Sequence, residues 1–348
     1  MPTTPQDDRP DGELERSASF QTFVSGSRAR FGDEADPWLD ALADLLRDVG
    51  ARWALELEGP ATSDGAHYRV DATRAGEPVG LEVTYPDGWW PETTRALETW
   101  NGEATLRLLE HDPRGVRLLE RAEPETSLRA EPDERASLME AAGVCERLWV
   151  ADPGGITSVA TEVRSWASTL EARHIRVGRP FEREIVRGAV DLFGTLGPTQ
   201  GERLLLHGDL HLRSFVLAGG RRVALDPQPL VGESAFDAAS LLRDAPEELI
   251  VDVDGGRQRV RLRFDVLTER LRCNPGRIRG WAFATSIDHA VWCCEQGDQA
   301  LGATVVEVAR MIRALDVRAR SDRPGNTAPG AAHCRDDGDG RSNGGSRV

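Results

Sequence analysis

The chain has 348 residues, 39% hydrophobic and 29% charged, a balance that suits a globular protein of about two domains or lobes. A formal net charge of −15 argues against a nucleic-acid partner, which would need a basic face. No apolar run nears the ~20 residues of a membrane span, and "MPTTPQDDRPDGELERSASF" is not a secretory signal, so a cytoplasmic protein is expected.

All 43 residues in the Lys+Arg count are arginine, so no site that requires a lysine ammonium can be built. The five cysteines include no C-x-x-C pair, which points away from a disulfide framework. His289 and Cys293 stand one helical turn apart, but without further ligands in view a core helix face is the better reading.

Residues 1–18 are polar and rich in Pro and Asp, and are expected to be a disordered lead. "RWALELE" alternates as a half-buried strand. "ATSDGAHYRVD" reads as a Ser63-Asp64-Gly65 turn entering a second strand. "EPVGLEVTY" sets Val79, Leu81 and Val83 on one face and Gly80, Glu82 and Thr84 on the other. "PETTRALETW" starts a helix at Pro91, and "ATLRLLEHDPRGVRLLERA" gives two more strands around a turn at 111–115.

The second half is mostly helical. "DERASLMEAAGVCERLWV", "GITSVATEVRSWASTLEARH" and "RPFEREIVRGAVDLFGTL" carry apolar residues at helical spacing. So do "FDAASLLRD", "RLRFDVLTERL", "RIRGWAFATSIDHAVWCCEQ" and "ATVVEVARMIRALDVRA". Residues 321–348 are rich in Gly, Asp, Arg and Ser and are expected to be a disordered tail.

Between these helices lies "LLLHGDLHLRSFVL", with strands expected at 204–206 and 215–217 and a turn into 223–225 that ends at Asp226-Pro227. Asp209 on the loop and Asp226 at a strand end fit phosphoryl transfer. One carboxylate orients or deprotonates a hydroxyl; the other binds the Mg²⁺ that neutralises nucleotide phosphates.

"HGDLHLRS…ALDPQPLVGESAFDAASLLRD" resembles the aminoglycoside phosphotransferase superfamily, within it the streptomycin 6-phosphotransferase/hydroxyurea phosphotransferase group. "ETWNGEATLRLLEHDPRGVRLLERAEPETSL" and "RLRFDVLTERLRCNPGRIRGWAFATSIDHAVW" extend the likeness over most of residues 50–315. The resemblance implies an α+β, protein-kinase-like two-lobed fold: a small strand-rich nucleotide-binding lobe at 19–122 and a larger helical lobe at 123–320. It implies transfer of the ATP γ-phosphate to a hydroxyl of an aminoglycoside-like or other small acceptor. Asp209 would be the catalytic group and Asp226 the Mg²⁺ ligand, with His207 and His211 supporting the loop. Glu233 and Asp237 would stiffen the segment behind the metal or cap a helix. Asp244, Glu247 and Glu248 would line a cationic pocket or end a solvated helix.

Two positions depart from the family pattern. Ser214 stands where the family's loop has Asn, and is expected as a second metal ligand. Glu82 falls where the family's third strand has a phosphate-gripping Lys. One account pairs Glu82 with Arg95, which would then touch phosphate together with backbone at Gly65. The other makes the chain a pseudokinase that binds a ligand or partner.

Overall fold

The computed structural model describes residues 17–317, of which 17–315 form one compact unit. The expected lead and tail fall outside the described residues, except that Ser17 caps and Ala18 begins the first helix. Among the described residues, three α-helices precede the sheet: α1 (Ala18–Phe31), α2 (Asp36–Asp40) and α3 (Leu42–Arg52). In the last of these, Leu42, Leu45, Leu46 and Val49 recur at helical spacing and are all buried.

The strands β1 (Leu55–Ser63), β2 (Tyr68–Arg74) and β3 (Glu77–Val83), the helix α4 (Trp90–Trp100), and the strands β4 (Leu108–Asp112) and β5 (Val116–Glu120) follow in the expected order. The five strands form an antiparallel sheet ordered β1-β2-β3-β5-β4. Val70, Ala72, Leu81, Val83, Val116 and Leu118 belong to one buried cluster with Phe23, Leu42 and Val49 of the helices.

Residues alternate across a strand, so the opposite face presents Arg69, Glu82 and Arg117. Register sets them in one cross-strand row, Arg69 opposite Glu82 and Glu82 opposite Arg117. The β2–β3 turn fixes that register. Arg74 pairs with Glu77, and Ala75 and Gly76 both have positive φ (54° and 83°), as a two-residue type I′ hairpin requires.

The rest of the chain supplies α5 (Glu134–Leu148), β6 (Val150–Ala151), α6 (Val159–Arg176), α7 (Arg183–Leu196), β7 (Leu204–Leu206), β8 (Phe215–Ala218), β9 (Arg221–Ala224) and β10 (Leu230–Gly232). Then come α8 (Ser234–Leu242), α9 (Pro246–Leu249), α10 (Val253–Arg270), α11 (Pro275–Glu295) and α12 (Gln299–Arg313). Helix α11 is the central one: Ile278, Trp281, Ile287, Val291 and Cys294 are all buried along it. Its start is set by Pro275 and by Asn274, whose side chain accepts from Arg277 N at 3.1 Å.

The strand arrangement differs from the sequence reading at one point. β8 and β9 form the expected hairpin, but β7 lies between β6 and β10 in a separate three-stranded sheet. Strands β6 and β10 have only two and three residues, too short to show a period. Cys145, Cys273, Cys293 and Cys294 are free and buried. Among the described residues, no helix is long and apolar enough to cross a membrane.

Candidate active site

Strand β7 ends at Leu206, His207 follows it, and Gly208 takes φ +84° to turn the chain into Asp209. A Cβ at Gly208 would come within 1.9 Å of the Gln228 carbonyl oxygen, so this close approach as well as the φ requires glycine. Gly208→Ala should therefore destabilise the fold by about 2–4 kcal/mol and lower turnover with it. Thermal unfolding read beside kcat checks this; an unchanged melting temperature would contradict it.

His207 ties this loop to the next one. Its Nε2 stands 2.9 Å from the Leu225 carbonyl, which requires a proton there, and its Nδ1 accepts from Asp209 N at 3.3 Å. Burial lowers its pKa to about 4, so the ring is the neutral Nε2–H tautomer that both contacts need. Gln228 N in turn donates to the His207 carbonyl at 2.9 Å.

His211 is held from both sides. Nε2 lies 3.0 Å from Asp209 Oδ1 and Nδ1 lies 3.0 Å from Asp244 Oδ1. Two carboxylate acceptors require two N–H donors, hence an imidazolium. Burial works against that charge, but Asp209 and Asp244 outweigh it and raise the His211 pKa. Burial would likewise raise Asp209; the hydrogen bond and charge of His211, then Arg243, reverse this and lower it to about 2. Asp209 is thus an ionised acceptor at neutral pH.

Asp237, fully buried on α8, holds the loop from below. It accepts from His207 N and Gly208 N at 2.9 Å each and from Trp149 Nε1 at 3.0 Å. Neither it nor Glu233 accepts a helix-capping bond. Glu233 receives Trp281 Nε1 and Arg277 Nε, tying α8 to α11.

Asp226 follows β9 at φ +59°, a left-handed conformation that Asp tolerates better than most residues. Its neighbours are Arg69, whose Nη2 donates to it, and Glu82 and His67. Among the described residues, His67, Glu82 and Asp226 are the one His/Cys/Asp/Glu group whose ligand atoms lie within 4.8 Å of one another. Two hard carboxylates with open space beside them fit Mg²⁺, which takes one or two protein oxygens and leaves the rest to water and phosphate. Ser214 lies next to this strand end: its carbonyl accepts from Leu225 N at 2.8 Å. His289 and Cys293 form no such group.

Two cavities meet at the 225–228 segment. The first, about 480 Å³, lies against the sheet face that carries Arg69, Glu82 and Arg117, with Leu106, Leu119 and Ala122 as apolar walls and Asp226-Pro227 at its edge. The second, about 870 Å³, lies among the helices and contains Asp209 and Gln228. Its walls combine the carboxylates Glu162, Asp244, Glu247 and Asp288 with the indoles Trp89 and Trp166. Glu248 instead pairs with Arg129.

The expected Glu82–Arg95 pair is not formed. Glu82 pairs with Arg117 at 3.3 Å and Arg69 at 3.3 Å, while the Arg95 side chain lies beside Gly155. The strand register puts Arg69 and Arg117 directly opposite Glu82; on α4 it is Thr94 that reaches this row, by accepting from Arg117. Burial pushes the Glu82 carboxyl up, but His67, Arg69 and Arg117 more than offset it, so it stays ionised.

Gly65 also differs from expectation. Its amide donates to Ser63 Oγ at 3.0 Å, and Asp64 Oδ1 accepts from Ala66 N and His67 N. These amides close their own turn instead of facing a phosphate, and the turn packs on Gly26 of α1. Arg69, His67, Arg117 and Gln228 were not picked out from the sequence. For Arg69 a signal existed, since it lies directly opposite Glu82 once the two-residue β2–β3 turn is placed.

Comparison with known proteins adds a lineage to this geometry. Residues 88–297 match the model of a family described as "Aminoglycoside/hydroxyurea antibiotic resistance kinase". The chain is 32% identical over 300 residues to a streptomycin 6-kinase of Streptomyces glaucescens, covering 83% of this chain and 95% of the relative. It is 30% identical over 292 residues to a hydroxyurea phosphotransferase of Kitasatospora aureofaciens, covering 81% and 82%. Among solved structures it is similar to a thermostable mutant of aminoglycoside phosphotransferase APH(4)-Ia, in ternary complex with ADP and hygromycin B. That likeness has a TM-score of 0.51 at 13% identity and covers 77% of this chain and 98% of the other. It establishes the protein-kinase-like α+β fold.

Proposed function

The chain belongs to the aminoglycoside/hydroxyurea antibiotic resistance kinase family and is an ATP-dependent phosphotransferase acting on a hydroxyl, and from that premise we propose how its residues divide the work. Nucleotide occupies the 480 Å³ cavity, the adenine against Leu106, Leu119 and Ala122, the phosphates toward Asp226. The acceptor occupies the 870 Å³ cavity with its hydroxyl at Asp209. The observation that carries this reading is the placement of Asp209 and Asp226 in different cavities, on loops locked together through His207.

In that arrangement Asp209 accepts a hydrogen bond from the acceptor hydroxyl and takes its proton. The new O–P bond forms as the bond from the γ-phosphorus to its bridging oxygen breaks, and ADP leaves. His211, fixed by Asp244, keeps the Asp209 carboxylate aimed. Asp226, with Ser214 beside it, would hold Mg²⁺, whose charge offsets that of the phosphates. We set the boundary between the two lobes at residues 122–123, just after β5 ends at Glu120.

The acceptor is a cationic, hydroxyl-bearing small molecule of the aminoglycoside kind. Carboxylates attract its ammonium groups, indole faces cover its rings, and a cavity of about 870 Å³ admits a molecule of drug size. The pseudokinase alternative has no support: both curated relatives are named for phosphotransfer, and two guanidinium groups stand beside Glu82.

Titration with Mg·ATP while following thermal unfolding tests the nucleotide half. A ligand that binds only the folded state stabilises it by about 2.7 kcal/mol at a hundred times Kd, so the melting temperature should climb. A flat melting temperature at saturating nucleotide would sink the reading.

A further inference from the structure

We propose that Arg69 on β2 is the cation that grips the nucleotide phosphates, in a chain with no lysine to do so, and that Glu82 is neutralised separately by Arg117. This rests on the phosphotransferase reading above and assigns a residue to its polyphosphate subsite.

The row Arg69–Glu82–Arg117 contains two cations for one carboxylate. Their surroundings give them different tasks. The Arg117 side chain is 3% exposed, sits 3.7 Å over the Trp90 ring, and donates to the Trp90 carbonyl at 3.2 Å and to Thr94 Oγ1 at 3.4 Å. It is pinned, and its charge is spent on Glu82 at 3.3 Å. The Arg69 side chain is 32% exposed and lines the cavity. Its guanidinium donates to three separate carboxylates: Nε to Glu82 at 3.3 Å, Nη1 to Asp64 at 3.1 Å, and Nη2 to Asp226.

Charge decides why such a cation is needed. Glu82 and Asp226 meet at the polar end of the cavity, Asp64 pairs with the same guanidinium, and without Arg69 the charges left beside them among the described residues would be Arg117 and a protonated His67. A polyphosphate brought there would meet net repulsion. With Arg69 present, a planar five-donor fork is already at Asp226, the residue assigned to the divalent ion, and that fork matches phosphate oxygens two at a time. An Asp226 oxygen engaged by the guanidinium is withheld from a cation, so Arg69 and a divalent ion compete for that carboxylate. Phosphate gives the displaced guanidinium a new partner.

The test uses the full chain, with Mg·ATP and Mn²⁺ as separate probes. Arg69→Met is expected to weaken Mg·ATP binding by about tenfold or more, the scale of one lost charge-assisted pair. The same variant should bind Mn²⁺ alone more tightly than wild type, because Asp226 is released. Arg69→Lys should keep most of the nucleotide affinity, and Arg69→Met/Glu82→Lys, which moves the cation to the directly opposite residue, should recover it. Unchanged nucleotide affinity in Arg69→Met, with wild type binding normally, overturns this inference and leaves the phosphotransferase reading standing. Loss of nucleotide and Mn²⁺ binding together, with no recovery in either lysine variant, would make Arg69 a purely structural residue and also overturn it. Failure of wild type itself to bind Mg·ATP removes both readings.

Discussion

Asp209→Asn is expected to lower kcat by about 10²–10⁴ while leaving the KM for ATP and the fold nearly unchanged. The substitution keeps the shape and one acceptor oxygen but removes the charge that attracts the hydroxyl proton. Asp209 is the ionised carboxylate of the 870 Å³ cavity that sits on the loop braced to Asp226. Glu162 and Asp288 line the same cavity, but they lie on α6 and α11 and not on the loop braced to Asp226. Asp209 does not line the 480 Å³ cavity proposed for nucleotide, which is why the loss should appear in kcat and spare nucleotide binding. Steady-state kinetics with both substrates varied, beside a urea melt, read the two effects separately. Equal loss of nucleotide affinity would make Asp209 a structural residue.

Asp237→Ala should cost about 3–5 kcal/mol of folding stability. Three donors, His207 N, Gly208 N and Trp149 Nε1, converge on this one carboxylate, and the residue is wholly buried. Truncation would leave all three facing a dry space, and each orphaned donor costs about 1–3 kcal/mol, partly offset by relief from burying the charge. That charge is under strain: burial raises the Asp237 pKa in spite of its hydrogen bonds. Turnover should fall with stability, since the same bonds set the position of Asp209. Urea midpoints measure the loss, and amide exchange at Gly208 locates it. A variant as stable as wild type would contradict the assignment.

What the sequence disclosed and what it hid follow from the range of the interactions involved. The placement of Asp209 on a loop and Asp226 at a strand end was legible because both segments are short and flanked by apolar strands. The strand order through β5 was legible from alternation, and α5 to α8 and α10 to α12 from helical spacing. The short strands β6 and β10 were not, since pairing with β7 is what defines them. The bracing of His211 by Asp244 joins residues far apart in the chain, and no local pattern reports it.

Glu82 is the instructive position. Its placement on the cavity face follows from β3 alternation, whereas Arg95, one helical turn beyond the position on the following helix where the family has its partner, is not the residue it pairs with. The actual partners lie across the sheet. The two-residue turn at Ala75-Gly76 fixes the β2 partner by simple register, so Arg69 was within reach of sequence reasoning. Arg117 was less so, because β3 and β5 are separated by α4 and β4. Gly65 shows the opposite error: a glycine in a turn suggested a phosphate cover, while the side chains of Ser63 and Asp64 already bind the turn's amides.

The most direct measurement is the mass of cationic hydroxylated acceptors after incubation with the protein and Mg·ATP. The account requires an acceptor that gains one phosphate on a hydroxyl, with one ADP released per product and none formed by Asp209→Asn. A wild-type protein that binds both Mg·ATP and such an acceptor, yet transfers no phosphate between them, would contradict it.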